Sequence, residues 1–157
     1  KKKTETKLTE VITTDSLPPG ELLKRAVNWI KLESKNYVKS KGTTTGSKAE
    51  CTASFFVKPK ELNPQVEYTG KVTMKITIDC KDNRYKYTVS EIKHVSKSGI
   101  ASAGSVDNVV PECGSMAMDE ITWKKLKGEC MRDANQVVAD LKAGMAVDSA
   151  NSPADDW

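Results

Sequence analysis

His94 is the only histidine in the chain. Its ordinary pKa suits general base chemistry at neutral pH. It falls late in a strand-like segment, however, with no Ser or Cys motif beside it, and reads more simply as a sheet-edge residue. No G-x-S-x-G elbow, H-E-x-x-H helix or P-loop is present. Asp79, Asp82 and Asn83 gather oxygen donors that a cation would use, but their spacing is not that of an EF-hand loop and a tight turn explains them. Cys51, Cys80, Cys113 and Cys130 form no C-x-x-C pair, which argues against zinc. Three disulfide pairings are open. If the strands carrying Cys51 and Cys80 pair through the loop of residues 58–66, these two lie far apart along the ladder, and the bridge favoured is Cys113–Cys130. No residue is therefore assigned a catalytic, cofactor-binding or metal-binding role.

Two other groups bear on binding. Trp29 and Trp123 could line a ligand cleft, but aromatics at helical spacing are more often core. Lys71, Lys75, Lys81, Arg84 and Lys86 share one face of a strand pair with Thr73, Thr77 and Thr88, and are the candidate binding face. A TATA-binding protein uses such a face to bend DNA, driving aromatic wedges into the minor groove. Phe56 is the only aromatic that the pattern places there, and Lys and Thr are common on exposed strands for solubility. Nucleic acid is therefore disfavoured.

The segment that must position these lysines is a long hairpin over residues 66–94. Val66, Tyr68, Val72, Met74, Ile76, Ile78 and Cys80 recur at every second place, with Gly70 in the gap and Lys, Thr, Glu and Asp between them. That period is a half-buried antiparallel sheet. With Asp82-Asn83 as a two-residue turn, Lys81 faces Arg84, Cys80 faces Tyr85, Ile78 meets Tyr87 and Ile76 meets Val89. A one-residue slip would set every apolar side chain against a polar one, so the pattern sets its own register. Beyond Val89 the alternation fails, because Glu91 stands where an apolar residue is due and Ile92 comes one place late. A β-bulge near Ser90-Glu91 restores the phase.

The remaining elements follow from the same periodicities. Residues 7–14 read as a first strand. The turn of residues 15–20, with Pro18, Pro19 and Gly20, leads into a helix over residues 21–33. Leu22, Leu23, Ala26, Val27 and Ile30 line one side of it, with Trp29 at its edge. Residues 36–41 read as a short strand, 42–46 as a loop, and 47–58 as a third strand with Cys51, Ala53, Phe55 and Val57 alternating. Residues 96–114, small and polar, read as a mobile connection. A long helix follows over residues 116–145, striped by Trp123, Leu126, Cys130, Ala134, Val137, Val138, Leu141 and Met145, with Gly144 as its stop. Residues 1–6 read as an extension and 148–157 as a disordered tail around one domain, residues 7–147. The order β-α-β4-α, with one wet sheet face and two amphipathic helices, implies an α+β fold with both helices packed on one face of the antiparallel sheet.

At 157 residues the chain suffices for one domain with its own core. No apolar run approaches the length of a membrane span. The net charge of +4 is uneven: residues 1–97 hold 20 Lys/Arg against 11 Asp/Glu, and residues 98–157 hold 5 against 10. Such asymmetry can mark a polyanion-binding face. The lysines are scattered, though, and the first three residues account for three of them. The sequence begins at Lys1, which fits a mature form after signal-peptide removal or a trimmed chain.

This order of elements, with residues 22–30 (LLKRAVNWI) on the first helix and 79–87 (DCKDNRYKY) at the hairpin, resembles a bacterial family known as a domain of unknown function with a TBP-like fold. The family favours a Trp after a charged amphipathic run and a K-D-G-R-Y-R-Y hairpin; Asn83 stands where it usually has Gly, which a type I′ turn accepts. The resemblance covers about residues 7–145. It implies an exported protein of Gram-negative gut bacteria, periplasmic, secreted or lipid-anchored at the outer membrane, and fits disulfide-permissive chemistry. It implies no activity and no functional residue. The expectation is a non-enzymatic exported binding domain without a cofactor, whose partner is an envelope or extracellular protein or glycan. The alternatives are a small enzyme using His94 and nucleic-acid or polyanion binding through the basic face.

Overall fold

The computed structural model describes residues 6–57, 69–97, 102–114 and 118–147. Among these residues seven strands and two helices follow in the order β1 (Leu8–Thr13), α1 (Pro19–Lys31), β2 (Val38–Lys39), β3 (Thr43–Thr45), β4 (Lys48–Val57), β5 (Gly70–Lys81), β6 (Arg84–Ser96), β7 (Gly104–Ser105) and α2 (Glu120–Met145). The strands form one antiparallel sheet ordered β1-β6-β5-β4-β2, with β3 also on the outer edge of β4 and β7 on that of β6.

The hairpin has the register that its alternation dictates: Lys81 faces Arg84, Cys80 faces Tyr85, Ile78 faces Tyr87 and Ile76 faces Val89. The register shifts by one between Thr73 and Lys75, and Glu91 takes a left-handed backbone (φ 51°), which is the expected bulge. At the turn only Asn83 has positive φ (61°). A type I′ turn needs it at both central residues, so the turn is of another type and Asn83 alone meets the left-handed demand. The tip is held: Thr14 N–H donates to Asn83 O and Asn83 N–H donates to Leu17 O, both at 2.7 Å.

Ala49, Cys51, Ala53 and Phe55 on β4, Val72, Met74, Ile76, Ile78 and Cys80 on β5, and Tyr85, Tyr87, Val89 and Ile92 on β6 are all buried on one side of the sheet. Both helices cover that side, α1 over β4, β5 and β6, and α2 over β1 and β6. Pro19 opens α1, where its missing N–H costs nothing. Asp119 caps α2 by accepting from Thr122 N–H at 2.7 Å, which holds its carboxyl below the usual range.

Several expectations need correction. Trp29 is not at the edge of the apolar side of α1 but within the core, only 3% exposed, because α2 crosses over it. Residues 43–45 are a strand, β3, pairing with β4 rather than lying in a loop. The described part of the 96–114 connection is packed, with Ala103 fully buried and β7 paired to β6. Gly144 lies inside α2 and does not end it; a Cβ there would stand 2.5 Å from Trp29 Cδ1. All four cysteines are free thiols, so no Cys113–Cys130 bridge is formed. Burial pushes the thiols of Cys51 and Cys80 up to about 11 and that of Cys130 to about 12, which leaves them protonated and unreactive. Thr6, assigned to the extension, is tied in: its N–H donates to both carboxylate oxygens of Asp107 at 3.0 Å. Residues 1–5, the loop of residues 58–66 with the start of the hairpin at Val66 and Tyr68, and the tail of residues 148–157 lie outside the described residues.

Edge strand β1 is fastened to α2 by one acidic residue. Glu10 Oε1 accepts from Tyr87 Oη at 2.8 Å and lies 2.9 Å from Lys142 Nζ. The Lys142 and Tyr87 contacts hold its carboxyl below the usual range. A carboxyl depressed in the folded state stabilises above its unfolded pKa, and that contribution is lost as pH falls through the folded value. Denaturant melts between about pH 6 and pH 3 should therefore show a smaller acid loss for Glu10→Gln than for wild type. Equal acid slopes would mean that this contact does not contribute.

Candidate functional site

The face of the sheet away from the helices is open. Lys71, Lys75 and Lys81 on β5 and Arg84 and Lys86 on β6 are all exposed there, because they alternate with the buried set and the register keeps the phase across the pair. Thr73, Thr77 and Thr88 share the face, as Ile76, Ile78 and Val89 share the other.

The five basic residues do not form one patch. Lys81 and Arg84 face each other at the hairpin tip, next to Lys86, and these three line a hollow of about 330 Å³ together with Asp79, Val11 and Tyr85. Asp79 faces Lys86 directly across the ladder, a favourable cross-strand pair. Lys75 lies further along, its Nζ 3.2 Å from Glu50 Oε2 and 3.9 Å from Glu91 Oε2. The Lys75 contact holds the Glu50 carboxyl below the usual range. Lys71 stands near the far end of β5, opposite Phe56 and Val95. Lys71 and Lys81 are ten residues apart on one strand, about 33 Å. The face is thus a flat, elongated surface with basic and acidic residues interleaved and a surplus of cations.

Phe56, 65% exposed, is the only exposed aromatic among the described residues on this face. Val38, on the next strand, adds an exposed apolar side chain beside it, paired opposite Ser54. A single aromatic does not supply the repeated wedges of minor-groove bending.

His94 is not a sheet-edge residue. It is fully buried, between Val72 of β5 and Gly104 of β7 in the ladder. Its Nδ1 accepts from Ala103 N–H at 3.1 Å, so that nitrogen carries no proton. Ala103 O in turn accepts from Glu112 N–H and Asn108 Nδ2, and Val106 N–H donates to Ile92 O, so His94 helps hang the 102–112 segment on the end of β6. This is a structural role for a buried polar group. Asp79 and Asp82 do not come together with a third ligand, and no cluster of three His, Cys, Asp or Glu suited to a metal exists among the described residues.

Trp123 is core, 2% exposed, with Nε1 donating to Asn108 O at 3.0 Å. Trp29 lines a cleft of about 400 Å³ between the end of α1 and the last turns of α2, although little of its own surface is exposed. Tyr37 Oη donates to Asp140 Oδ2 at 2.8 Å on the cleft wall, and burial is the main reason its phenol is pushed up. Lys39 Nζ lies 4.1 Å from the Trp29 ring centroid and donates to Trp29 O at 2.6 Å. Burial lowers the Lys39 pKa. The pairing of Lys39 with Trp29, ten residues apart and on different elements, has no signal in the sequence.

No family model matches the chain, and no curated protein does. Solved structures do. A DUF4468 family protein from Bacteroides ovatus ATCC 8483 superposes with a TM-score of 0.62 at 8% identity, over 92% of this chain and 88% of that one. A TBP-like protein from Parabacteroides distasonis ATCC 8503 does so with a TM-score of 0.61 at 14% identity, over 92% and 94%. At such identities the likeness speaks for backbone arrangement and leaves activity aside. The chain is an α+β domain with the TBP-like fold, shared with a member of a bacterial domain-of-unknown-function family.

Proposed function

We propose that this chain is a non-catalytic binding domain of the bacterial cell envelope, exported from the cytoplasm, whose open sheet face engages an acidic glycan. The observation that supports it is the uncovered face itself. Lys71, Lys75, Lys81, Arg84 and Lys86 stand exposed along a flat strip about 33 Å long, where hydroxyls alternate with cations. An extended, hydrated polyanion fits a flat strip better than a small substrate, which needs an enclosing pocket. The interleaved Glu50, Asp79 and Glu91 moderate the attraction and favour a partner with spaced charges. The non-catalytic part of the reading is supported by the burial of His94 and of the Cys51, Cys80 and Cys130 thiols, which takes those groups away from substrate. Its exported part rests on the family resemblance alone.

The test is fluorescence anisotropy with a labelled heparin oligosaccharide as the probe. Binding should weaken steeply with salt, and Lys75→Glu combined with Lys86→Glu should abolish it while the thermal midpoint stays near wild type. Undiminished binding by the double variant would remove the sheet face as the site. Equal affinity for a labelled neutral dextran would remove charge as its basis. Cell fractionation of the source bacterium tests the location, and a cytoplasmic protein would overturn it.

A further inference from the structure

A further cavity lies at the β2–β3 edge of the sheet, against α1; its Ser40, Lys41 and Thr43 also line a hollow of about 360 Å³ that holds Lys75, Glu50 and Glu91. The cavity itself measures about 460 Å³ and is walled by α1 and by the turn that joins β2 to β3. Its floor is apolar, made by Val27 and Ile30 of α1. Its rim holds three lysines, Lys31, Lys39 and Lys41, and the hydroxyls of Thr43 and Thr44. Among the described residues no carboxylate lines it. We propose that this cavity binds a small organic oxyanion, a carboxylate or phosphate ester, whose short apolar tail rests on Val27 and Ile30.

Three observations carry this. The first is charge balance. On the open sheet face Lys75 is offset by Glu50 and Glu91. Lys31 and Lys41 have no ion-pair or hydrogen-bond partner among the described residues. Unpaired cations lining a concave, partly apolar site favour an anion more than the same cations on a flat, screened surface.

The second is the treatment of the α1 C-terminus, which borders the cavity. The free carbonyls at a helix C-terminus repel anions. Here Trp29 O accepts from Lys39 Nζ at 2.6 Å and from Leu32 N–H at 3.1 Å, and Asn28 O also accepts from Leu32 N–H. Two of the carbonyls at that end are thereby satisfied, and Lys39 is pinned among the residues that line the cavity.

The third is shape. Gly42, at the centre of the β2–β3 turn, approaches α1 so closely that a Cβ would stand 2.9 Å from Ile30 Cγ2 and 3.0 Å from Glu50 O. The turn therefore presses its backbone against the apolar floor, and Thr43 and Thr44, the first residues of β3, complete the lining. Ser40 Oγ accepts from Thr52 N–H at 2.9 Å, which fixes the preceding residue.

The experiment is a two-dimensional amide NMR titration of the full chain with hexyl phosphate and hexanoate as probes, and with hexanol and inorganic phosphate as controls. The expected result is saturable shifts centred on Gly42, Thr43 and Thr44 with one or both charged probes, their relative affinities showing whether phosphate or carboxylate is preferred. Lys31→Gln with Lys41→Gln should weaken binding by about tenfold with the spectrum otherwise retained. Lys81→Glu with Lys86→Glu, at the hairpin tip, should leave it unchanged, so this site and the glycan-binding strip stand or fall separately. Shifts elsewhere, hexanol binding as tightly as the charged probes, inorganic phosphate binding as tightly as hexyl phosphate, or undiminished binding by the Lys31/Lys41 variant would each overturn the proposal.

Discussion

Ile76→Asp should leave this domain unfolded at room temperature, whereas Lys75→Asp, one residue away, should cost no more than about 1 kcal/mol. Ile76 is fully buried at the middle of β5, paired with Cys51 on β4 and Val89 on β6, and is among the largest side chains wholly out of solvent. Removing it forfeits about 1.5–3 kcal/mol of burial. An unpaired carboxylate in its place adds several kcal/mol more, or must be protonated. The sum approaches the whole stability of an ordinary domain, about 5–15 kcal/mol. Lys75 points the other way, roughly half-exposed between Glu50 and Glu91. An Asp there meets two carboxylates in solvent, a screened repulsion. Far-ultraviolet circular dichroism and denaturant melts on the pair read the difference. Ile76→Val, expected to cost about 0.5–1.5 kcal/mol, shows that the effect is the charge and not the position alone. Comparable losses for the two Asp variants would place both residues on one kind of surface and reject the assignment of faces.

That contrast was legible in the sequence because the hairpin is a local object. Its alternation, its two-residue turn and the late Ile92 together set register and bulge, and both are met from Gly70 onward, although the turn is not of type I′. The basic residues were legible for the same reason, since each alternates with a buried neighbour. Their electrostatic surroundings were not. Glu50 reaches Lys75 from a strand whose connection to β5 passes through residues 58–69, and no spacing encodes which residue of β4 stands beside which of β5. The short strands β2, β3 and β7 carry little pattern of their own: Thr43–Thr45 is exposed throughout and is a strand only because β4 offers it an edge. His94 was misread because its neighbour on the far side, β7, is two residues long and has no periodicity. The lysine-rimmed cavity depends on α1 meeting a turn that only tertiary packing brings to it.

Gly144 is the sharpest instance of a residue whose role is set by tertiary contact, and its replacement should oppose the usual rule for helices. Within a helix, Ala is favoured over Gly by about 1 kcal/mol. Gly128, in the same helix α2, has nothing within 4 Å of where a Cβ would stand. Gly128→Ala should therefore raise stability by about 0.5–1 kcal/mol. At Gly144 the added Cβ would lie 2.5 Å from Trp29 Cδ1, 2.8 Å from Cγ and 3.0 Å from Cβ. The indole has little room to retreat, because Lys39 Nζ sits over its ring at 4.1 Å and Arg25 Nη1, bonded to Met145 O at 2.9 Å, holds the end of α2 against α1. Overpacking of this kind costs about 1–3 kcal/mol against a helical gain of about 1 kcal/mol, so Gly144→Ala should lower stability by up to about 2 kcal/mol. Trp29→Ala removes Cδ1 and Cγ, and in that background Gly144→Ala should cost markedly less, a coupling that a double-mutant cycle of denaturant melts measures directly. If Gly144→Ala stabilises the wild-type protein as Gly128→Ala does, the two helices do not meet at this residue. The cleft beside Trp29 and the seating of Lys39 would then have to be redrawn with them, because both take their geometry from that crossing.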